Sequence, residues 1–219
     1  MELTQIQSLL ESGDPQSRMK AMVELRKHEP EVVVPLLKQR MFDKEFIVRS
    51  FVAMGLGNKQ TEEGFEALLT LINTDQDPNV VAEAANSLEK YGDRAVPHLV
   101  ELFKQNSHWL IRQSILAALG GASPDVVIQL SRWSWEGDDL AVQYNAIANL
   151  GQLSGTPYAT AALAILLEAA IDEAPMLRAQ AARVLPRFDD PQAKAALLEL
   201  RQDSSSQVVG ATLESLLSD

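Results

Sequence analysis

The stretch DKEFIVRSFVAMGLG (residues 43–57) resembles a second stretch, SHWLIRQSILAALGG (residues 107–121), in its order of apolar, basic and small residues. Near its end, each stretch holds one leucine of a series spaced 31 to 35 residues apart, hereafter the leucine column: Leu25, Leu56, Leu88, Leu119, Leu150, Leu185 and Leu216. Small or apolar residues recur three, four and eight positions before each leucine, with Ser17 and Thr212 as the polar exceptions. Because these offsets share one side of an α-helix, the pattern predicts an amphipathic helix in every repeat.

The remaining half of each repeat carries apolar pairs and helix boundary signals typical of another helix. Capping residues followed by proline predict helix starts at five places: Asp14-Pro15, Asp77-Pro78, Ser123-Pro124, Thr156-Pro157 and Asp190-Pro191. Glycines predict helix ends at four: Gly57, Gly92, Gly120 and Gly151. The sequence therefore predicts an all-α solenoid of about seven two-helix repeats, forming a single domain over residues 1–219. The longest interval, from Leu150 to Leu185, predicts four extra residues near Gly155 to Asp172.

The composition excludes several classes of function. The 219 residues include no cysteine, which removes disulfides, thiolate metal ligands and cysteine nucleophiles. The net charge of −11 is spread along the chain without a basic stripe, so we expect no nucleic-acid partner. The N-terminal residues lack the basic and apolar regions of a signal peptide, and no stretch predicts membrane insertion. We therefore expect a soluble, cytoplasmic protein.

The two quoted segments resemble short HEAT repeats, in the form of about 30 residues found in phycobilisome lyase-like and phycobilisome-degradation proteins of cyanobacteria. The resemblance extends over essentially the whole chain. It implies that the helices carrying the leucine column line a shared concave face. It also implies a partner among the phycobiliproteins, in phycobilisome turnover or assembly.

Four arginines lie seven residues before a leucine of the column, hereafter the inner arginines: Arg18, Arg49, Arg112 and Arg178. Helix geometry places this position within the buried side, which favours a structural role over ligand binding. Six residues before the inner arginines stand candidate hydrogen-bond partners: Ser12, Asp43, Asn106 and Asp172. We predict that the inner arginines connect neighbouring repeats.

The opposite side of the same helices is the first candidate binding surface. Its side chains are predicted to contact a protein partner: Phe51, Glu83, Asn86, Gln113, Tyr144, Asn145 and Arg183. Two of them, Phe51 and Tyr144, are large aromatics at positions where packing does not require them. The alternative, that these are scattered exposed aromatics without a role, stays open at this point.

The tryptophans form the second candidate, because all three lie within 27 residues of a chain poor in aromatics. Trp109 follows His108 at a helix start, and Trp133 and Trp135 lie at a helix end. We predict that these four side chains form a protein-binding edge, since tryptophan is enriched at binding hot spots. The alternative is local packing, with one of Trp133 and Trp135 buried and the other exposed.

Little in the sequence favours catalysis, and we predict no catalytic residue, metal site or cofactor. The single His-Glu dipeptide, His28-Glu29, departs from the several such dipeptides by which the HEAT-like deoxyhypusine hydroxylases hold iron. The first hypothesis is therefore a non-enzymatic adaptor that binds another protein. Two alternatives remain, a bilin lyase-type subunit acting on phycobiliproteins and an accessory protein in iron–sulfur cluster assembly. Whether the chain forms a homo- or hetero-oligomer is left open.

Overall fold

The computed structural model describes residues 1–214 and contains no strand in that range. Fourteen α-helices follow one another in this part of the chain, separated by short loops and three single 3₁₀ turns. Their bounds are α1 Leu3–Leu10, α2 Pro15–Leu25, α3 Pro30–Lys38, α4 Phe46–Lys59, α5 Glu62–Thr74, α6 Pro78–Glu89, α7 Val96–Gln105, α8 Trp109–Ala118, α9 Pro124–Trp135, α10 Leu140–Leu150, α11 Ala159–Ala169, α12 Pro175–Val184, α13 Pro191–Leu200 and α14 Ser206–Glu214.

Each repeat consists of an odd-numbered first helix and an even-numbered second helix. The leucine column lies along or just after the second helices, and all of its members from Leu25 to Leu185 are buried. Leu216 lies outside the described residues. The predicted all-α solenoid of seven two-helix repeats is confirmed, because burial repeats with the period of the leucines.

Most of the predicted helix starts are correct, and one is wrong. The carboxylate of Asp14 accepts the N–H groups of Gln16 and Ser17 at 3.3 and 2.9 Å, as an N-cap should. At Thr156-Pro157, however, the helix begins only at Ala159. The Thr156 side chain instead accepts the N–H of Tyr158 within a loop. This loop, residues 151–158, separates α10 from α11 and overlaps the start of the range in which the four extra residues are predicted.

The predicted helix end at Gly57 is also wrong. Gly57 lies inside α4, where a Cβ atom would come within 2.6 Å of the Ser87 Cβ on α6. The glycine is therefore required by the close approach of two second helices rather than by a helix end. Gly92, by contrast, follows α6 with a φ of 67°, in the left-handed conformation expected after a helix.

The chain divides into two compact units, unit 1 (residues 1–118) and unit 2 (residues 119–219). Within unit 1 the second helices α2, α4, α6 and α8 pack side by side, and within unit 2 the helices α10, α12 and α14 do the same. A single domain over the whole chain stays a prediction.

The helices in the described part of the chain are short. The longest one in residues 1–214 has 14 residues, whereas about 20 are needed to cross a bilayer. No helix in this range is long and apolar enough to span a membrane.

Candidate protein-binding surface

Three of the inner arginines, Arg18, Arg49 and Arg178, connect neighbouring repeats as predicted, because each pairs with an aspartate of the following repeat. Arg49 donates through Nη1 to the carbonyl of Asp43, in the loop before its own helix, at 2.8 Å. Its Nε and Nη2 donate to the two carboxylate oxygens of Asp75, in the next repeat, at 2.6 and 2.9 Å. The Asp75 carboxylate also accepts the N–H of Asp77 at 2.9 Å. One guanidinium therefore joins two consecutive inter-helix loops.

The same arrangement recurs in the other unit. Arg178 donates to the carbonyl of Asp172 at 2.8 Å, and to both oxygens of Asp203 at 2.7 and 2.9 Å. Arg18 in unit 1 likewise contacts the Ser12 carbonyl at 2.7 Å. The residue six positions before the arginine is thus the expected partner, but it contributes its main-chain carbonyl. The paired carboxylate comes from the following repeat, so these arginines serve folding.

Within residues 1–214, not every repeat forms this ion pair to the next repeat. Arg112 donates to the Asn106 carbonyl at 2.8 Å, and its guanidinium lies over the Phe103 ring. In unit 2 the equivalent of the arginine is Gln143, which donates to the carbonyls of Trp135 and Gly137 at 3.2 and 2.8 Å. A neutral amide can therefore replace the main-chain contact of the arginine but not its ion pair.

In unit 1 the outward side of α4 is apolar. Ile47, Phe51 and Met54 lie at i, i+4 and i+7 of α4 and therefore share one face. Ile47 and Met54 expose 38% and 41% of their surface, and Phe51 is half-buried. Val23 takes the position of Met54 in the preceding repeat and is 37% exposed. These four side chains lie on the same side of the neighbouring helices α2 and α4 and are hereafter called the apolar patch.

A carboxylate takes the position next to this patch. Glu83 on α6 corresponds to Phe51 on α4 and is half-buried. Burial raises the pKa of its carboxyl group, because the charged form loses water. Within residues 1–214 no hydrogen bond or ion pair compensates this loss. The predicted site residues Asn86 and Gln113 lie further along, exposed on α6 and half-buried on α8 respectively.

The outward side of the second helices in unit 2 is polar instead. Tyr144 is half-buried and packs against the core of the unit, and Asn145 beside it is half-buried. Arg183 donates to Glu214 at 2.8 Å, which raises the pKa of the guanidinium. The sequence did not single out Gln180, although it is only 7% exposed and its Oε1 has no hydrogen-bond partner in the described part of the chain. Gln180 lies five residues before Leu185, and the helix pattern predicts that a side chain at this position is exposed.

Trp135 packs and forms a hydrogen bond within unit 2. It is half-buried against the core of unit 2, and its Nε1 donates to Glu168 of α11 at 2.6 Å. Trp133, two residues earlier on the same helix, is also half-buried, so the expected division into one buried and one exposed ring is wrong. The role of either ring in binding stays a prediction.

Trp109 lies in unit 1 and is 47% exposed at the first position of α8. Its ring stacks on His108 with 6.0 Å between ring centroids. Counted from the leucine column, Trp109 takes the place of Pro15 and Pro78 in other repeats. An exposed indole therefore stands where proline would suffice to start the helix. That Trp109 joins Trp133 and Trp135 at one edge stays a prediction.

A cavity of about 520 Å³ lies between α11 and α13 of unit 2. Leu163, Leu167 and Phe188 are among its apolar lining residues, and Asp189 and Asp190 also line it. Asp189 pairs with a lysine at 2.6 Å, and Asp190 caps α13. Both carboxylates are thus engaged within the unit. Over residues 1–214, no three His, Asp or Glu side chains come together in a way that could hold a metal ion.

The sequence matches the HEAT-repeat family over residues 34–120 and 130–217, about four fifths of the chain. The protein therefore belongs to the HEAT-repeat family.

Two solved structures illustrate the likeness. The Escherichia coli protein YibA superposes with a TM-score of 0.67 at 17% identity, covering 98% of this chain and 82% of its own. The complex of CpcE and CpcF of phycocyanin lyase from Nostoc sp. PCC7120 superposes with a TM-score of 0.55 at 20% identity, covering 98% and 95%. At these identities the likeness shows a common fold. No curated protein matches the sequence.

Proposed function

We propose that this chain is a non-enzymatic adaptor that binds another protein through the outward side of the second helices of unit 1. The observation that carries the proposal is the apolar patch of Val23, Ile47, Phe51 and Met54 beside the half-buried Glu83. Exposing these apolar side chains to water is unfavourable in free energy, and a partner that covers them removes this unfavourable contribution. A buried apolar centre with a polar rim is the arrangement of many protein interfaces.

The geometry suits a macromolecule better than a small molecule. The patch lies on the surfaces of two adjacent helices, and the residues from Ile47 to Met54 extend about 10 Å along α4 at 1.5 Å per residue. Small-molecule sites are usually concave and enclose most of their ligand. A partner that presents its own extended surface can contact all four apolar side chains at once.

The finer proposal is that the partner is a phycobiliprotein, in phycobilisome turnover or assembly. The fold shared with the CpcE and CpcF proteins of phycocyanin lyase supports a phycobiliprotein as the first partner to test. The same likeness makes a bilin lyase-type role the second candidate, in which Phe51 would stack on a tetrapyrrole. For iron–sulfur cluster assembly, no observation on the described residues speaks in favour.

The test compares two apolar-to-acidic substitutions in a direct binding assay with purified phycobiliprotein. Met54→Asp places a charge in the apolar patch, and Leu198→Asp places one at a 58% exposed leucine on a first helix of unit 2. We expect Met54→Asp to weaken binding at least tenfold and Leu198→Asp to leave it unchanged, with equal thermal melting of the two variants. Equal binding by both variants would overturn the proposed surface.

The lyase-type alternative has its own measurement. Free bilin is added to the purified chain, and the absorbance spectrum is recorded. For an adaptor we expect an unchanged spectrum, whereas a shift that Phe51→Ala abolishes would favour the lyase-type role. If purified phycobiliprotein does not bind but a different protein from the native host binds in a manner sensitive to Met54→Asp, the adaptor stands and its phycobiliprotein partner does not.

A further inference from the structure

Three side chains occupy one equivalent position in consecutive repeats of unit 1, five residues before the leucines of the column. They are Lys20 on α2, Phe51 on α4 and Glu83 on α6, hereafter the outer row. Because they share the same offset from their leucines, they point to the same side of three helices that pack side by side. The row therefore presents a cation, an aromatic ring and an anion in that order.

The spacing within the outer row is short. Gly57 on α4 lets α6 approach so closely that a Cβ atom on the glycine would lie 2.6 Å from the Ser87 Cβ. Helix axes in contact are about 8–10 Å apart. Seven residues of an α-helix rise about 10 Å, so every seventh residue of a helix laid across the row falls near the next member of the row.

Both charges of the outer row are open to an external partner. Lys20 is exposed, and over residues 1–214 neither Lys20 nor Glu83 has an ion pair. The cation that acts on Glu83 from within the unit is Lys90, which itself donates to Asn58 at 2.6 Å. Glu83 has therefore lost part of its hydration without gaining a compensating contact. A cation brought by a partner would supply that contact.

The width of the apolar patch favours a helix over an extended chain as the partner segment that covers it. From Ile47 to Met54 the patch measures about 10 Å along α4, which matches the diameter of an α-helix with its side chains. An extended strand occupies only about 5 Å in that direction. A helix lying across α2, α4 and α6 would cover the whole width and meet the outer row at seven-residue intervals.

We propose that the outer row binds an amphipathic helix of the partner that carries an acidic residue, a large apolar residue and a basic residue seven positions apart. The acidic residue pairs with Lys20, the apolar residue packs on Phe51 and the basic residue pairs with Glu83. The charges at the two ends fix the direction in which the helix lies. The inference rests on the proposed function, since it names the chemistry of the segment that this surface receives.

The test uses three synthetic helical peptides and three forms of the full chain. The peptides share a central leucine stripe and differ only at the two flanking positions, which are acid and base, base and base, or acid and acid. The chains are the natural one, Lys20→Glu and Glu83→Lys. Affinity is measured by fluorescence anisotropy at low salt, and circular dichroism checks that all chains are folded.

We expect the natural chain to prefer the mixed peptide over each of the other two by about fivefold, a typical effect of one partly buried ion pair. Lys20→Glu should prefer the peptide with two basic residues, and Glu83→Lys the peptide with two acidic residues. Phe51→Ala should weaken the binding of all three peptides without changing their order of affinity. The same order of preference in every chain would overturn the assignment of the two charges.

A further peptide keeps the mixed charges but has proline on both sides of the central leucine, which prevents a helix. Equal binding of this peptide would overturn the helical partner. These outcomes are distinct from failure of the proposed function. If Met54→Asp abolishes phycobiliprotein binding while the charge preferences are absent, the surface stands and the outer row fails. If Met54→Asp has no effect, the proposed function itself fails.

Discussion

The two units are built from the same repeat, and they are alike on the buried side but different on the outward side. Buried leucines and bidentate Arg-Asp pairs, such as Arg49 with Asp75 and Arg178 with Asp203, recur in both units. On the outward side, unit 1 leaves Glu83 unpaired next to apolar side chains, whereas in unit 2 Arg183 is neutralised by Glu214. Stacking thus fixes the inward positions, and the outward positions are free to diverge between repeats.

The largest expected effect tests the likeness of the buried sides. Arg49→Ala and Arg178→Ala should each lower the free energy of unfolding by about 3 kcal/mol, because each leaves a mostly buried aspartate without its cation. The measurement is urea unfolding followed by circular dichroism, with each transition fitted separately if the two units unfold apart.

The control for these substitutions is Gln143→Ala, which removes only two hydrogen bonds to main-chain carbonyls. We expect a loss of about 1 kcal/mol for this variant. If the losses in unfolding free energy for Arg49→Ala and Arg178→Ala differed by more than the loss for Gln143→Ala, the buried sides of the two units would not be equivalent. A cost near zero for both would mean that burial of the arginine cancels its ion pair.

The second effect separates the tryptophans of the two units. Trp135→Phe should cost about 1 kcal/mol of unfolding free energy, since phenylalanine keeps a ring against the core but cannot donate to Glu168. Trp109→Phe should change stability by less than about 0.5 kcal/mol, because this ring is exposed on the surface of unit 1. The comparison is made by thermal melting of matched variants.

Two other outcomes would assign a role to Trp109. If Trp109→Phe destabilised the chain more than Trp135→Phe, the exposed indole would have a structural role that its surroundings do not show. If Trp109→Ala weakened binding of the partner without changing the melting temperature, the predicted role of this tryptophan in binding would be supported.

The sequence predicted the repeat, the helices and the outward register of the binding candidates, because all of these follow from spacing along the chain. It could not predict burial that depends on a neighbouring repeat. The prediction of a helix end at Gly57 is wrong because the contact that requires this glycine is with Ser87, 30 positions away along the chain. Gln180 was missed for the same reason, since its outward register concealed that adjacent helices cover it. The Trp135 bond to Glu168 likewise spans 33 positions.

The smallest expected effect is an acid dependence shared by both units. The hydrogen bond from Arg178 lowers the pKa of Asp203. Burial opposes ionisation of Asp75, but its hydrogen bonds to Arg49 and to the N–H of Asp77 outweigh burial and lower its pKa as well. Both carboxyls ordinarily titrate near pH 4, so in each case the folded state holds the ionised form more firmly than the unfolded state does.

A carboxyl with a lowered pKa in the folded state contributes stability above about pH 4, and this contribution is lost as the pH falls through the folded value. We therefore expect the free energy of unfolding to decrease as the pH falls below about 4, and Asp75→Asn and Asp203→Asn each to flatten that decrease. The measurement is urea unfolding at a series of pH values. Asp189→Asn is the control, because the Asp189 pair with Lys194 is exposed and water screens it. If it flattened the decrease as much as Asp203→Asn does, burial of the Arg-Asp pairs would not explain the acid dependence, and the buried sides of the two units would lose their common electrostatic basis.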